Sequence, residues 1–173
     1  KSLQESEGDR MFKEIINGKG DSQSWRIFGN YVAFNQSNLL RSLAKDYENV
    51  TDGLICENVK LLRKVNSTIR DEKSAIKNIR RKETVCLRRI RPEVLLGGGT
   101  WFHSSANELE EIYYSVRRIC EPVYEHIDNN FSPLPARYVS EFVPLRSRLA
   151  DLMEHLADIC QRGNFERLRD CTD

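Results

Sequence analysis

Six acidic residues in the C-terminal half of the chain are spaced so that they could bind a metal ion. They form two sets, Glu121, Glu125 and Asp128, and Asp151, Glu154 and Asp158. Steps of three and four residues place carboxylates on one face of a helix. Facing carboxylates in a helical bundle could hold a divalent or ferric ion. The alternative is that these residues face water or pair with a basic helix, and acidic residues outside an apolar stripe favour that alternative.

Positive charge is concentrated in residues 60–91, which contain twelve basic and three acidic residues, whereas the whole chain has a net charge of only +1. Like charges on a helix usually form a solvated face or pair with a neighbouring helix. Residues 92–173 have a net charge of −6, which is too small to neutralise the +9 of this segment. We therefore expect a surplus of positive charge that faces outward. The residues expected to carry it are Arg80, Arg81, Lys82, Arg88 and Arg89.

No residue pattern in the sequence indicates catalysis. No sequence context sets up a serine or a cysteine as a nucleophile. The three glycines at 97–99 lack the preceding strand and the GK[ST] that a phosphate-binding loop requires, and they are predicted to form a flexible link. The five cysteines contain no CxxC motif, and this usage is typical of a reducing compartment. The chain is therefore predicted to be a domain that is not an enzyme.

Apolar residues recur at steps of three and four along most of the chain, which predicts helices and no strand. Four main helices are predicted: the first starts at Asn35, the second spans about 57–90, the third starts after Ser104 or Ser105, and the fourth includes 142–159. The first is predicted to end at Gly53, because glycine is common after a helix end. A single longer helix through Gly53 fits the period almost as well. The predicted fold is an all-α antiparallel bundle of four main helices.

The predicted domain organisation and core follow from the same pattern. Residues 1–34 are predicted as a polar lead-in with one short helix around "DRMFKEII", residues 35–163 as the helical bundle, and residues 164–173 as the start of a truncated C-terminal segment. The predicted buried stripe of the third helix is Leu109, Ile112, Tyr113, Val116, Ile119, Cys120, Val123 and Ile127. That of the fourth helix is Phe142, Leu145, Leu149, Leu152, Leu156 and Ile159.

Several stretches of the sequence resemble a known family. The stretch "LAKDYENVTDGLICENVKLLRKVNSTIRDEKSAI" resembles the first helical pair of PhoU-like domains, in which a long charged helix folds back beside the helix before it. The stretches "IRRKETVCLRRI", "TWFH", "VRRICEPVYEHIDNNFSPLP" and "FVPLRSRLADLM" resemble the cytosolic extension of PiT-type phosphate transporters in some bacteria. The resemblance covers about residues 35–163, and "CEP…EHIDNNFSPLP" is its most specific part.

The resemblance implies a PhoU-like domain at the cytoplasmic face of the inner membrane, as part of a larger membrane protein that transports inorganic phosphate. It implies an accessory or regulatory role, with the transporter's own transmembrane portion as partner. It also implies an anionic membrane surface as a further partner, with Arg80, Arg81, Lys82, Arg88 and Arg89 binding lipid headgroups or phosphate groups. A homo-oligomer is left open. PhoU-like domains bind metal through (E/D)xxxD motifs. Glu154 and Asp158 have this spacing, whereas Glu121 and Glu125 lack the terminal Asp.

The alternative function is that of a basic helical nucleic-acid-binding domain or of a scaffold that pairs with another protein. The basic residues at 80–82 and 88–89 could neutralise phosphates of a nucleic acid. The nearly neutral chain and the lack of a recognised DNA-binding motif argue against this function. No nucleic-acid partner is therefore expected.

Overall fold

The computed structural model describes residues 6–95 and 98–162, and these residues form six helices and no strand. The helices are α1 Glu7–Asn17, α2 Ser22–Ile55, α3 Val59–Arg89, α4 Pro92–Leu95, α5 Gly98–Asp128 and α6 Ala136–Arg162. The all-α prediction is confirmed, whereas the PhoU-like bundle of four antiparallel helices stays a prediction. The boundary predicted at residue 163 and the segment 164–173 lie outside the described residues.

Helix α2 is longer than the sequence analysis predicts. Its predicted start at Asn35 is wrong, because the helix begins at Ser22. The carboxylate of Asp21 accepts a hydrogen bond from the backbone N–H of Ser24 at 3.1 Å. Such an N-cap satisfies an amide that the first helical turn leaves unpaired. Residues 22–34 are therefore part of a main helix, and only the short helix predicted around "DRMFKEII" is confirmed, as α1.

Helices α2 and α3 are separate and meet at the turn after Ile55. The alternative of one longer helix through Gly53 is therefore wrong. Helix α2 continues past Gly53 to Ile55, so Gly53 is not the residue that ends it. Asn58 begins α3 by accepting a hydrogen bond from the backbone N–H of Leu61 at 3.1 Å. A Cβ atom at Gly53 would lie 2.6 Å from two side-chain carbons of Leu62. The glycine therefore allows close packing of α3 against α2.

Contacts between helices define the directions in which they run. The hydroxyl of Tyr113 on α5 donates a hydrogen bond to the carbonyl oxygen of Ile69 on α3 at 2.8 Å. Arg80 of α3 pairs with Glu110 of α5. Because the residue number rises on α3 as it falls on α5, these two helices are antiparallel.

Helix α6 is attached to α2 by an arginine near each end of their interface. Arg146 Nη2 lies 2.6 Å from Asp52 Oδ1, and Arg41 Nη2 lies 2.7 Å from Asp158 Oδ1. Arg41 also donates a hydrogen bond to the side chain of Gln161 at 2.7 Å. Helices α2 and α6 are therefore also antiparallel.

The core consists of two clusters of buried apolar side chains. One cluster joins α2, α3, α5 and α6, and includes Leu43, Val50, Leu62, Ile69, Tyr113, Val116 and Met153. The other joins α1, the first half of α2, the end of α3 and the start of α5, and consists of Met11, Ile15, Phe28, Tyr31, Val32, Cys86, Ile90 and Phe102. The second cluster explains why residues 22–34 fold as helix, because they supply three of its buried side chains.

Helix α5 buries most of the stripe predicted for it. Val116 and Cys120 are buried, but Ile119 is 38% exposed, so its assignment to the core is wrong. The helix also begins at Gly98 rather than after Ser104. The predicted glycine link is therefore helical at 98 and 99, and its first residue, 97, lies outside the described part of the chain.

Helix α6 is rotated relative to the prediction. Leu145 and Leu149 were assigned to the core, but they are 63% and 42% exposed. The residues buried instead are Ala150, Met153 and Ala157, with Ile159 buried as predicted. Small alanine side chains allow α6 to pack close to α2, and this arrangement leaves the larger leucines on the outside.

Candidate functional site

The five basic residues predicted to bind anions do not form one surface. Arg80 lies at the interface with α5, where it pairs with Glu110 and donates a hydrogen bond to Asn107 Oδ1 at 2.6 Å. Lys82 lies 3.4 Å from Asp9 Oδ1 and 5.5 Å from the centre of the Phe12 ring on α1. These two cations therefore take part in contacts within the chain.

The other three predicted residues, Arg81, Arg88 and Arg89, are exposed. Two of them belong to a row that follows one face of α3 at steps of seven, seven, four and seven residues. We call this row the basic stripe, and it consists of Arg63, Arg70, Lys77, Arg81 and Arg88, all of which are exposed. At about 1.5 Å per residue the stripe is roughly 38 Å long.

The basic stripe has little negative charge beside it. Arg63 Nη2 lies 3.9 Å from Asp128 Oδ1, a long distance for an ion pair. Within residues 6–95 and 98–162, Arg70, Lys77, Arg81 and Arg88 make no ion pair. A row of unpaired, exposed cations raises the local concentration of anions. The sequence analysis found the charge but missed the row, although its seven-residue spacing is visible in the sequence.

The acidic residues predicted to bind metal are separated by the fold. On α6, Arg41 of α2 lies among them, with its Nε 4.0 Å from Glu154 Oε2 and its Nη2 2.7 Å from Asp158 Oδ1. A guanidinium group therefore lies where a metal ion would bind these carboxylates. Asp151, the third residue of this set, is exposed.

The acidic residues of α5 have other neighbours. Glu121 pairs with Arg117 one turn away, with 3.4 Å between Nε and Oε1. Asp128 lies beside Arg63, and Glu125 is exposed. Among the residues that the structure describes, no group of three or more histidine, cysteine, aspartate and glutamate side chains is placed to hold a metal ion. Metal binding stays a prediction.

A row of buried and half-buried polar groups between α2 and α3 is the most unusual feature of the interior. We call it the polar seam and define it as Asn35, Ser42 and Asp46 of α2 with Glu72 and Glu83 of α3. Asp46 is only 4% exposed and Glu83 only 5%. Buried carboxyl groups are costly unless they are protonated or paired. The polar seam is therefore the part of the core in which ionised side chains would lower the stability of the fold.

Asp46 and Glu72 form a pair of carboxyl groups at one end of the polar seam. Ser42 donates a hydrogen bond to Glu72 Oε1 at 2.6 Å. The other oxygens, Asp46 Oδ2 and Glu72 Oε2, are buried without a hydrogen-bond partner among the described residues. Burial, followed by the hydrogen bond and charge of Glu72, raises the pKa of Asp46 to about 8. At neutral pH Asp46 therefore carries a proton, and donating it to Glu72 gives both oxygens a partner.

Glu83 lies at the other end of the polar seam. The side-chain amide of Asn35 donates a hydrogen bond to Glu83 Oε1 at 3.0 Å. Burial raises the pKa of Glu83 to about 7, although the Asn35 hydrogen bond and the charge of Arg80 oppose this shift. Burial thus raises the pKa of two carboxyl groups of the core.

A cavity of about 340 Å³ opens between α1, α2 and α3 along the polar seam. Its polar lining includes Asn35, Ser42 and Glu72 from the seam, together with Asn38 and Lys82. The cavity gives water access to the groups around the carboxyl pair.

The sequence analysis did not identify the polar seam. Its signal is weak: Asn35, Ser42 and Asp46 follow one another at steps of seven and four residues, in a helix that contains many other polar residues. Glu72 and Glu83 are two of the three acidic residues in the basic segment, and their burial depends on the packing of α3 against α2. A helical period reveals that polar residues share a face, but it does not reveal whether that face is covered.

No family model, curated protein or solved structure shows a significant match to this chain. In the part of the chain that the structure describes, no helix is both long enough and apolar enough to cross a membrane.

Proposed function

We propose that this chain is a PhoU-like accessory or regulatory domain of a PiT-type transporter of inorganic phosphate. It lies at the cytoplasmic face of the inner membrane and acts on the transporter's own transmembrane portion. The observation that carries the proposal is the basic stripe on α3, because it gives the domain a surface for the anionic lipids of the membrane. The sequence resemblance supplies the class of transporter.

The geometry of the basic stripe suits a flat anionic surface. Its five cations lie on one face of a straight segment about 38 Å long, so they can approach a plane together. Each Lys or Arg near an anionic leaflet contributes about 1 kcal/mol of binding in general, and the contribution falls off within a Debye length. Arg80 and Lys82 contact acidic residues of α5 and α1, so they add less to this surface than the sequence analysis predicts.

The helical pair in the resemblance has a counterpart in the fold. Helix α2 ends at Ile55, α3 begins at Val59, and Ser42 of α2 contacts Glu72 of α3. Helix α3 therefore folds back beside α2, as the first helical pair of PhoU-like domains does. This supports the proposed family.

The most specific part of the resemblance, "CEP…EHIDNNFSPLP", includes the end of α5 and the corner between α5 and α6. His126 Nε2 lies 2.9 Å from the carbonyl oxygen of Ser132, and its ring centre lies 5.4 Å from that of Phe131. The side-chain amide of Asn129 donates a hydrogen bond to the carbonyl oxygen of Glu125 at 2.8 Å. These residues define the path of the chain from one helix to the next. The sequence resemblance in this stretch supports a fold in common with the proposed family.

The experiment that tests this function uses the full-length gene product. We expect its sequence and its protease-protection pattern to reveal membrane-spanning segments outside residues 22–162, with these residues on the cytoplasmic side. Cells that express it should take up labelled phosphate, and removal of residues 22–162 should change how uptake depends on external phosphate. A full-length product that spans no membrane, or uptake that is identical without the domain, would contradict the proposal.

Nucleic-acid binding is the alternative outcome, because a row of cations can also follow the phosphates of a nucleic acid. Binding of the 173-residue chain to anionic vesicles and to a mixed-sequence DNA duplex distinguishes the two functions. The proposal predicts vesicle binding and no retention of DNA at about 0.15 M salt, where surface charges are screened beyond ~8 Å. Retention of DNA without vesicle binding would favour the alternative.

A further inference from the structure

Helix α6 has two separate apolar faces, and only one of them has a partner within the described fold. The inner face packs against α2 through Ala150, Met153 and Ala157. The outer face is a second row, which we call the outer seam and define as Tyr138, Phe142, Leu145, Leu149, Leu152 and Leu156. Contacts among the described residues cover the inner face, whereas the outer seam has no partner helix among them.

The large apolar side chains of the outer seam are more exposed than such side chains usually are when they lie next to one another. Leu145 is 63% exposed, Tyr138 57% and Leu149 42%, while Leu152 and Leu156 are half-buried. Single exposed leucines are common on protein surfaces, but a contiguous apolar row is typical of an interaction surface. The row runs along most of the helix, so it offers a linear surface rather than a pocket.

The spacing of the outer seam indicates what covers it. Its residues follow at steps of four, three, four, three and four, so that each four-plus-three pair of steps spans seven residues. This is the repeat with which one helix packs side by side against another in a coiled coil. The expected partner is therefore a helix with the same repeat.

We propose that the outer seam is covered by the α6 helix of a second copy of this chain, packed antiparallel to the first. With Leu149 opposite Leu152 of the second copy, two-fold symmetry also places Leu145 opposite Leu156. The four leucines of each copy then form four layers, each with one leucine from each copy. This dimer does not depend on the proposed transport function.

The charges beside the outer seam favour this alignment. The residues that flank one side of the seam at seven-residue steps are Glu141, Arg148, His155 and Arg162. In the proposed alignment Glu141 lies beside Arg162 of the second copy, and symmetry produces this opposite-charge pair twice. Arg148 then lies beside His155 of the second copy, a pair that adds no attraction. Shifting the alignment by one heptad places the two copies of Arg148 side by side, so like charges disfavour it.

The first test is the mass of the 173-residue chain in solution, measured by sedimentation equilibrium over a range of concentrations. We expect a reversible dimer with twice the chain mass of 20.1 kDa. Leu145→Glu should raise the dissociation constant at least tenfold while the helical circular dichroism stays the same. Val85→Glu is the matched control, because Val85 is an exposed apolar residue on α3, at 39%. A chain that is monomeric at all concentrations, or a dimer that is equally sensitive to both substitutions, overturns the proposal.

The second test is a charge exchange that reports on the antiparallel alignment. Glu141→Arg and Arg162→Glu should each weaken the dimer several-fold, because each change affects both symmetry-related pairs. The double exchange, Glu141→Arg with Arg162→Glu, should restore the original dissociation constant. If the two single effects simply add in the double variant, the residues do not meet across the interface and the proposed alignment is wrong.

Discussion

Asp46 and Glu72 face each other across the α2–α3 interface, and one carboxyl oxygen of each is buried with no hydrogen-bond partner among the described residues. A single proton held by Asp46 removes the repulsion between the two groups and gives both oxygens a partner. The stability of the interface is therefore coupled to pH through a pair of residues that no apolar pattern predicts.

The first prediction concerns the pH dependence of folding. The pKa of Asp46 is raised from 3.8 to about 8, so the folded chain retains a proton that the unfolded chain releases. The stability contributed by this proton is complete below pH 3.8 and is lost as the pH rises towards 8. Asp46→Asn, which keeps a donor towards Glu72, should therefore reduce the loss of stability over that range. Urea unfolding at about pH 5 and about pH 8 measures the free energies.

The control for this prediction is Asp71→Asn, the same chemical change at the neighbouring exposed carboxylate on α3. It should leave the pH dependence as it is. Glu83→Gln should act like Asp46→Asn but over a narrower range, from 4.5 to about 7. An unchanged pH dependence in Asp46→Asn would mean that the pair does not hold the proton.

The second prediction concerns the close approach of α2 and α3 at Gly53. Gly53→Ala should destabilise the fold by about 1–3 kcal/mol, because the new Cβ would collide with the Leu62 side chain. Gly29→Ala is the matched control in the same helix, because a Cβ at Gly29 meets nothing within 4 Å. It should be neutral or stabilising by up to about 1 kcal/mol, since alanine is the better helix former. Equal effects of the two substitutions in thermal unfolding would disprove the close packing.

The third prediction distinguishes the two faces of α6. Met153→Ala should cost about 2–5 kcal/mol, because Met153 is buried against α2 and its removal leaves a cavity. Leu145→Ala should change the free energy of unfolding by less than about 0.5 kcal/mol, the usual scale for surface substitutions. The measurement is made at a concentration low enough for the chain to be monomeric. A larger effect of Leu145→Ala would place the leucine face inside the fold, as the sequence analysis predicts.

The fourth prediction concerns metal binding at Glu154 and Asp158. Arg41 and a metal ion would compete for these carboxylates, so Arg41→Ser should free them. We expect millimolar Mn²⁺ to raise the melting temperature of Arg41→Ser more than that of the unsubstituted chain. Adding Asp158→Asn to Arg41→Ser should abolish the difference. An equal rise with and without Arg41 would mean that the ion binds elsewhere.

The parts of the fold that follow from local pattern were predictable from the sequence. The all-α class and the buried positions of Ile69, Val116 and Cys120 follow from apolar steps of three and four residues. The helical start at Ser22 was not predicted, although residues 22–34 contain apolar side chains at helical spacing, among them Phe28, Tyr31 and Val32, which the second core cluster buries. The signal for this part of α2 was present in the sequence, and the prediction of a polar lead-in missed it.

Helix α6 illustrates a different limit. Its sequence contains two apolar faces, and the stronger repeat, with Leu145 and Leu149, was assigned to the core. The fold instead buries the face with Ala150 and Ala157, where small side chains allow close contact with α2. Periodicity identifies apolar faces but does not rank them, because the ranking depends on the shape of the neighbouring helix.

The candidate sites were also predictable only in part. The concentration of basic residues was evident from the sequence, but the division between Arg80, which pairs with Glu110, and Arg81, which is exposed, depends on helix orientation. The polar seam could not be predicted, because the burial of Asp46 and Glu83 is a property of the assembled helices. A residue's charge is visible in the sequence, whereas its solvation is not.

The most direct test of the proposed function is the binding of the 173-residue chain to vesicles. The measurement is co-sedimentation with vesicles that contain an anionic phospholipid, compared with vesicles of neutral phospholipid alone. We predict binding to the anionic vesicles at low salt and a loss of affinity of about a hundredfold when Arg70, Lys77 and Arg81 of the basic stripe are all changed to Ser. The matched control changes Arg118, Arg137 and Arg148, which are exposed on α5 and α6, and should retain most of the binding. No binding to anionic vesicles, or an equal loss in both triple variants, would contradict the account.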